Sequence, residues 1–464
     1  MIEGLRPYEE MKPAEAAWLP SLPRAWEVHR AKYSFAEVDK RSLEGAEELL
    51  SVSHKTGVSP RSQKNVTMFM AESYEGHKVC RPGDVVVNTM WAWMAALGVS
   101  GRVGIVSPSY GVYRPRRTNE FVPRYLDYLL RTELYRAEYV RSSRGITTSR
   151  LRLYPQDFLN IPLIQPPPDE QKLIVRFLDW HGAQTAKLLR AKRKLLALLN
   201  EQKQAIIRRA VTRGLDPNVK LKPSGVPWLG DVPAGWGLRS LGSMIARRSE
   251  RGRPDWPLLS VVRERGVILR ASMSEDENHN FVPDDLSNYK VVRAGDLVIN
   301  KMKAWQGSLG IAQQDGIVSP AYFVYRFEIE NLEFGELLLR SKPYVACFAR
   351  VSDGVRPGQW DLSIDGMKRI PVLCPGIDEQ RTIVAFVRNG IAELEVARMQ
   401  VVREVSLVEE FRTRLIADVV TGKLDVRAIA ASLPEAIEPE TDDEPDDADL
   451  EEGEDTQEDE EAAA

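Results

Sequence analysis

Two stretches of the chain carry the same hydrophobic pattern. From Asp169 to Arg213 there is no proline, the only glycine is Gly182, and Leu188, Leu189, Leu195, Leu196, Leu199 and Ile206 recur at helical spacing. From Asp378 to Thr421 the residues Ile391, Leu394, Val401, Val405, Val408, Leu415 and Val419 fall mostly on a 3.5-residue spacing. Pro166-Pro167-Pro168 and Pro375-Gly376 precede the two stretches, as the start rule for helices expects. Each predicts a helix of about 45 residues, roughly 65 Å long at 1.5 Å per residue. A helix that long with one apolar stripe needs a partner stripe, and the other copy offers one. Two unrelated core helices would be the competing account, but length and register recur together. The chain builds a whole domain between the two, so an antiparallel coiled coil is expected. It would pair Leu189, Leu196, Leu199 and Ile206 with Leu394, Val401, Val408 and Leu415, and hold the flanking globules apart. Those globules read as short strands: Asp84–Asn88 and Asp296–Asn300 follow glycine turns, and Val103–Val106 and Tyr110–Arg114 are broken at Ser107-Pro108. Pro123–Arg141, with Leu126, Leu129, Leu130 and Leu134, predicts one helix. The fold class is therefore α/β (α+β).

The whole chain is written twice. Arg81–Arg114 and Arg293–Arg326 are identical at 19 of 34 positions, at an offset of 212. After a slip, Ile161-Pro162, Asp169-Glu170-Gln171, Val211-Thr212 and Leu215-Asp216 answer Ile370-Pro371, Asp378-Glu379-Gln380, Val420-Thr421 and Leu424-Asp425 at an offset of 209. Upstream, Trp18-Leu19 and Pro23-x-x-Trp26 answer Trp228-Leu229 and Pro233-x-x-Trp236. A period this long excludes a solenoid. It implies two similar domains, each with its own long helix, and pseudo-two-fold symmetry. The expected segments are 1–165, the first globule; 166–214, its helix; 215–374, a lead-in and the second globule; 375–427, the second helix; and 428–464, an acidic tail.

Charge sharpens this picture. The 464 residues have a formal net charge of −4, but Ser432–Ala464 contain 17 Asp or Glu and no Lys or Arg. The remainder carries 63 basic against 50 acidic residues, a net +13, which suits a polyanionic partner. The tail lacks aromatics and reads as a disordered, solvating segment. A sharper alternative is that it shields a basic face. No apolar run reaches membrane-spanning length, and residues 1–10 mix acids and bases, so neither a transmembrane span nor a secretory signal is expected. Cys80, Cys347 and Cys374 form no metal or disulfide pattern, and a cytoplasmic location follows.

Catalytic signatures are missing. There is no P-loop, no HExxH and no GxSxG. Gly98-x-x-Gly101-x-x-Gly104 has the wrong spacing for a dinucleotide site and reads as turn chemistry. His29, His54, His77, His181 and His279 occupy unmatched positions in the two copies, whereas a duplicated active site would repeat its acid or base. Asp84 and Asp296 do repeat, each after a glycine, and capping that turn is their expected role.

The ordered set of features resembles the specificity (S) subunit of type I restriction–modification systems, the HsdS family. Glu201-Gln-Lys-Gln-Ala-Ile-Ile-Arg-Arg-Ala-Val-Thr-Arg-Gly-Leu-Asp216 is similar to that family's central helix end. Lys222-Pro-Ser-Gly-Val-Pro-Trp-Leu-Gly230 and Pro233-Ala-Gly-Trp236 are similar to its lead into the second globule. The resemblance covers about Met11 to Arg427. It implies that each globule is a target recognition domain reading one half of a bipartite double-stranded DNA site. The helices would set the unread spacer and dock two methyltransferase (M) subunits, with a restriction/translocase (R) subunit joining them. The S subunit catalyses nothing; S-adenosylmethionine, ATP and Mg²⁺ belong to the partners, and this chain needs no metal or cofactor. The alternatives are a stand-alone DNA modification or restriction enzyme and a symmetric protein-binding scaffold.

Base-reading residues are sought among polar side chains where the copies diverge. In the first copy these are Lys55, Arg61, Lys64, Asn65, Arg144, Arg150 and Arg152. In the second they are Arg263, Arg265, Arg270, Lys301, Lys303, Gln306 and Arg356. Drift in surface loops is the competing account for any one of them. Trp93 and Trp305 are matched, with core packing favoured over base stacking. Gly145 and Gly354 are matched and read as serving backbone geometry.

Overall fold

The computed structural model of the chain describes residues 5–63, 73–147, 150–273, 282–283, 285–354 and 360–434. The chain divides into two compact units, Met1–Ala191 with Glu404–Ala464, and Lys192–Arg403. The long helices are present as expected, Pro168–Arg213 with 46 residues and Ile377–Val420 with 44. Each contributes one end to each unit, so they are parts of both bodies rather than separate segments.

Each unit is built on a four-stranded antiparallel sheet. In the first the order is Phe35–Glu37, Gly111–Pro115, Val85–Val87, Leu97–Val99; in the second it is Ile245–Arg247, Tyr322–Phe327, Asp296–Asn300, Leu309–Ile311. Alternation across the pleat explains the apolar run Val85-Val86-Val87. Val85 and Val87 enter the large core with Trp26, Tyr113 and Phe158, while Val86 enters a smaller one with Leu50, Val52 and Val112. Leu297 and Ile299 against Val298 repeat the division in the second unit.

The large core also takes in the long helices. Ile174, Phe177 and Leu178, near the head of the first helix, share it with Leu415, Val419 and Val420 from the foot of the second. In the second unit Ile207, Ala210 and Val211 meet Ile383, Val384 and Val387. Head lies with foot in each unit, so the pairing is antiparallel. Of the eight residues expected to pair, Leu189, Val401 and Leu415 are buried and Leu196, Leu199, Ile206, Leu394 and Val408 are half-buried. Within the second unit, Lys203 Nζ donates to Glu395 Oε1 at 2.5 Å, and a Cβ added at Gly390 would meet Ile206 at 3.7 Å.

The repeated Asp-Glu-Gln fixes each helix head. Gln171 is fully buried: its Oε1 accepts from Val122 N at 2.7 Å, and its Nε2 donates to Pro166 O at 2.8 Å and Glu120 O at 3.1 Å. Gln380 accepts from Asn331 N at 3.0 Å and donates to Pro375 O at 2.8 Å. The neighbouring glutamates differ. Glu170 is buried and accepts from Tyr8 Oη at 2.5 Å and Trp26 Nε1 at 3.0 Å, whereas Glu379 is exposed and the buried Trp236 Nε1 has no partner. In the first unit the two terminal segments also meet, through a bridge between Arg6 and Asp425.

Asp84 and Asp296 cap their turns, accepting from Arg81 N at 2.9 Å and Arg293 N at 2.8 Å. Both also hold a guanidinium, Arg114 for Asp84 and Arg248 for Asp296. Arg114 lies in the strand Gly111–Pro115 and Arg248 just past the strand Ile245–Arg247, so the buried carboxylate is fixed while its partner is interchangeable.

Two expectations change. The single helix over Pro123–Arg141 is two, Pro123–Leu130 and Glu133–Ser142, because Thr132 adopts an extended conformation and its hydroxyl donates to Leu129 O at 2.8 Å. In the second unit Pro343 sits just inside the corresponding second helix, Lys342–Arg350. Gly98 and Gly104 serve strand packing rather than turns: a Cβ would stand 2.7 Å from Asp127 Oδ1 at Gly98 and 2.6 Å from Glu48 O at Gly104.

Replacing Gln171 with leucine strands one amide and two carbonyls and should destabilise its unit by about 3 kcal/mol. Gln380→Leu strands one fewer group and should cost less; urea denaturation of the two variants checks both size and order.

Candidate nucleic-acid interface

The most regular of the diverged segments is a β-hairpin. In the first unit Leu50–Ser53 pairs with Gly57–Pro60, and in the second Leu259–Val262 pairs with Gly266–Leu269. The three-residue tips are His54-Lys55-Thr56 and Arg263-Glu264-Arg265. Each tip closes on a left-handed glycine, Gly57 at φ +67° and Gly266 at φ +71°, the geometry of a three-residue loop with a glycine bulge.

A helix braces each tip. Arg131, at the end of Pro123–Leu130, donates from Nη2 to His54 O at 2.9 Å and also to Lys55 O. Arg340, at the end of Leu332–Leu339, donates from Nη2 to Arg263 O at 2.9 Å. A carboxylate four residues earlier holds each arginine: Asp127 at 3.5 Å and Glu336 at 3.1 Å. Asp127 Oδ1 also accepts from Val99 N at 3.0 Å, which ties the brace to the edge of the sheet. Burial pushes the Glu336 carboxyl above its ordinary range, against the opposing pull of Arg340. Gly98 and Gly310 complete the seat, since a Cβ there would press 3.2 Å from Gly57 Cα or 2.9 Å from Gly266 Cα. The backbone of the tip is thus fixed by residues common to both copies, and its side chains are what differ.

The structure distributes the predicted residues over three places. Lys55, Arg263 and Arg265 are exposed on the tips. Arg61 and Arg270 sit half-buried where their hairpins end, each near a half-buried tyrosine, Tyr110 or Tyr322, whose hydroxyl pKa desolvation raises against the opposing pull of the arginine. The two arginines thus take matched places in the two units. The second place is the loop after the central strand. Asn88 Oδ1 accepts from Met90 N at 3.2 Å, and Asn300 Oδ1 from Met302 N at 3.1 Å and Lys303 N at 3.2 Å. This loop carries Lys301, Lys303 and Gln306; Lys301 is ion-paired with Asp361. The third is the segment holding Arg144, Arg150 and Arg152, folded back by a bridge between Arg144 and Arg152. Arg144 reaches Asp157 at 2.9 Å. This segment joins the second place through Leu153 N, which donates to Thr89 O at 3.0 Å. Lys64, Asn65 and Arg356, and the tail beyond Pro434, lie outside the described residues.

Trp93 and Trp305 are not core residues. Both are half-buried, with Trp93 stacked on Trp91 at 6.1 Å and Trp305 against Trp360 at 5.1 Å, because a 3₁₀ turn carries the rings out of the sheet. Gly145 does serve close approach, since a Cβ there would stand 2.5 Å from Arg150 O. Sequence reasoning passed over the bracing arginines and a pair of buried lysines. Lys78 Nζ donates to Tyr110 O at 2.9 Å and Lys290 Nζ to Tyr322 O at 2.5 Å, and burial lowers the Lys290 pKa. Their signal in the sequence is recurrence, Arg131 with Arg340 and Lys78 with Lys290, whereas candidate readers are residues that differ between the copies.

Among the described residues, no group of three or more His, Cys, Asp or Glu could hold a metal, and no helix is long and apolar enough to cross a membrane. No protein-family model matches the sequence, and no curated protein matches it. Solved structures do. One, from work on complex assembly and conformational transition of the type I R-M system, overlays with a TM-score of 0.57 at 16% identity, covering 86% of this chain and 98% of that one. The chain therefore has that fold. The HsdS subunit from Thermoanaerobacter tengcongensis overlays at TM-score 0.39 with 17% identity, covering 87% of this chain and 98% of its own. A type I restriction–modification S subunit from M. genitalium does so at 0.31 with 13%, covering 85% and 96%.

The raised Glu336 carboxyl has a signed consequence. A group whose folded pKa lies above its unfolded value gives stability below the unfolded pKa and loses it as pH rises through the folded one. Glu336→Gln keeps the neutral shape, so it should gain on the parent as pH rises from about 4 to 7, in the range where a carboxyl titrates. Urea midpoints across that range, with no relative gain at the acidic end, check this.

Proposed function

We propose that this chain is the DNA-recognition subunit of a type I restriction–modification assembly, reading a bipartite double-stranded site with one unit per half-site. The observation that carries the reading is the duplicated, arginine-braced hairpin: one rigid backbone presented twice, with Lys55 on one tip and Arg263 and Arg265 on the other. Rigid backbone with interchangeable cationic side chains is what base-edge reading requires, because a misplaced guanidinium cannot make the paired bonds that separate guanine from other bases. The exposed cations of the neighbouring loop and of the Arg144–Arg152 segment are suited to phosphates, which position the duplex without reading it. The shared fold with a chain of a type I R-M system supports the same reading.

In this reading the chain is not a catalyst. Two M subunits supply methyl transfer with S-adenosylmethionine, and an R subunit supplies ATP- and Mg²⁺-dependent restriction, in the cytoplasm where the DNA is. The long helices offer these partners apolar side chains left uncovered in the second unit: Leu195 and Leu198 on the first helix, Met399 and Val402 on the second. The length of the helices would fix the unread spacer of the site.

Alanine at both Arg263 and Arg265 should relax one half of the methylated word and leave the other half intact, losing about 1–3 kcal/mol of discrimination for each bidentate contact removed. Methylome sequencing of cells carrying the partner subunits reads this directly. An unchanged word, or loss of both halves together, would reject the hairpin as a reader.

A further inference from the structure

The first unit has a basic groove that uses none of the candidate reading residues. Its cations are Arg124, Lys172, Arg176 and Arg412, drawn from the helix Pro123–Leu130 and both long helices, and Gly182, Ala183 and Ala186 line it with them. The acid in the wall, Asp179, is already held by Arg124 at 3.1 Å and by Tyr128 Oη at 2.6 Å. Lys172 contacts Asp169 at 2.9 Å, but both groups are largely exposed, and such a pair gives way readily to another anion. The lining thus carries four cations against the one carboxylate of Asp179.

Pro434 lines the same groove. From the next residue the chain runs Glu435-Ala-Ile-Glu438-Pro-Glu440, and residues 435–464 contain 17 carboxylates and no Lys or Arg. We propose that this acidic segment seats in the groove, an internal polyanion that occupies it in competition with any other acidic or phosphate-bearing partner. Charge and tether both favour it. An extended chain spans roughly 3.3–3.6 Å per residue, so Glu435, Glu438 and Glu440 can reach the groove cations without any long excursion. A short tether also holds the effective concentration of those carboxylates at the order of millimolar. At physiological salt the screening length is about 8 Å, so attraction selects the cations beside Pro434 over basic groups elsewhere. The proposal involves other residues than the DNA-reading assignment, so either can fail alone.

Carbodiimide coupling of carboxylates to amines in the full-length protein tests it, with adducts mapped by peptide mass spectrometry. Lys172 is the lysine among the groove residues. At about 0.05 M salt, tail carboxylates should couple to Lys172 several-fold more than to Lys12, Lys32 or Lys40. The preference should not depend on protein concentration, and it should disappear near 1 M salt, where screening falls to about 3 Å. Arg412→Glu should lower the Lys172 yield, and Lys172→Arg should abolish the adduct. Coupling spread over exposed lysines without preference would overturn the proposal. So would a yield untouched by Arg412→Glu, or one that rises with protein concentration, which would mean a tail from another copy.

Discussion

Each long helix leaves its domain from a buried amide whose oxygen and nitrogen both bond to backbone. Gln171 and Gln380 sit where the helix has just begun and its own first amides lack helical partners. Their side chains bond to backbone on both sides of the departure point: the proline-bearing approach, and the loop that leads into the helix packed alongside. A polar group buried this deeply must find its partners or cost stability, so only one direction of departure is tolerated. Everything downstream inherits that direction. Ile174, Phe177 and Leu178 can complete the first core, and Ile383, Val384 and Val387 the second, only if the helix heads are aimed as they are.

The same economy runs through the domains. What is common to both copies is structural: the capped aspartates, the buried lysines, the bracing arginines and the glycines that let hairpin and sheet touch. What differs is carried outward on that frame. The hairpin tip shows the division most clearly, because its carbonyls are bonded to Arg131 or Arg340 while its side chains project away from the bonded backbone. Two similar platforms can therefore present different chemistry without a change of fold.

The long helices were legible because their signal is periodic and spans many turns. The strand Val85–Val87 and the capping role of Asp84 were legible because the repeat supplied a second reading of the same rule. The break at Thr132 was hidden, since in the first copy no proline marks it and a single threonine hydroxyl bonding to Leu129 O does the work. The role of Gly98 was hidden too, because it depends on Asp127 and Gly57, which approach from other parts of the chain. At the site the difficulty was one of emphasis. Divergence between copies points to the tips, whereas Arg131 and Arg340, which hold the tip carbonyls, are common to both copies and carry no such signal. The type of Trp93 favours a core position, but its placement depends on a 3₁₀ turn no local pattern announces.

The closure of the first unit bears on the order in which the protein can be made. Its large core needs Leu415, Val419, Val420, Val426 and Ala430, and its buried Glu170 takes a bond from Tyr8 near the opposite end. The second unit is continuous from Lys192 to Arg403. During synthesis on the ribosome, the half begun first must therefore wait, partly assembled, for residues made after the whole second unit, whereas the half begun later has all its parts sooner. Domains made first usually fold first; here the connectivity reverses that sequence, and the waiting half, with apolar surface uncovered, is where chaperone protection would matter most.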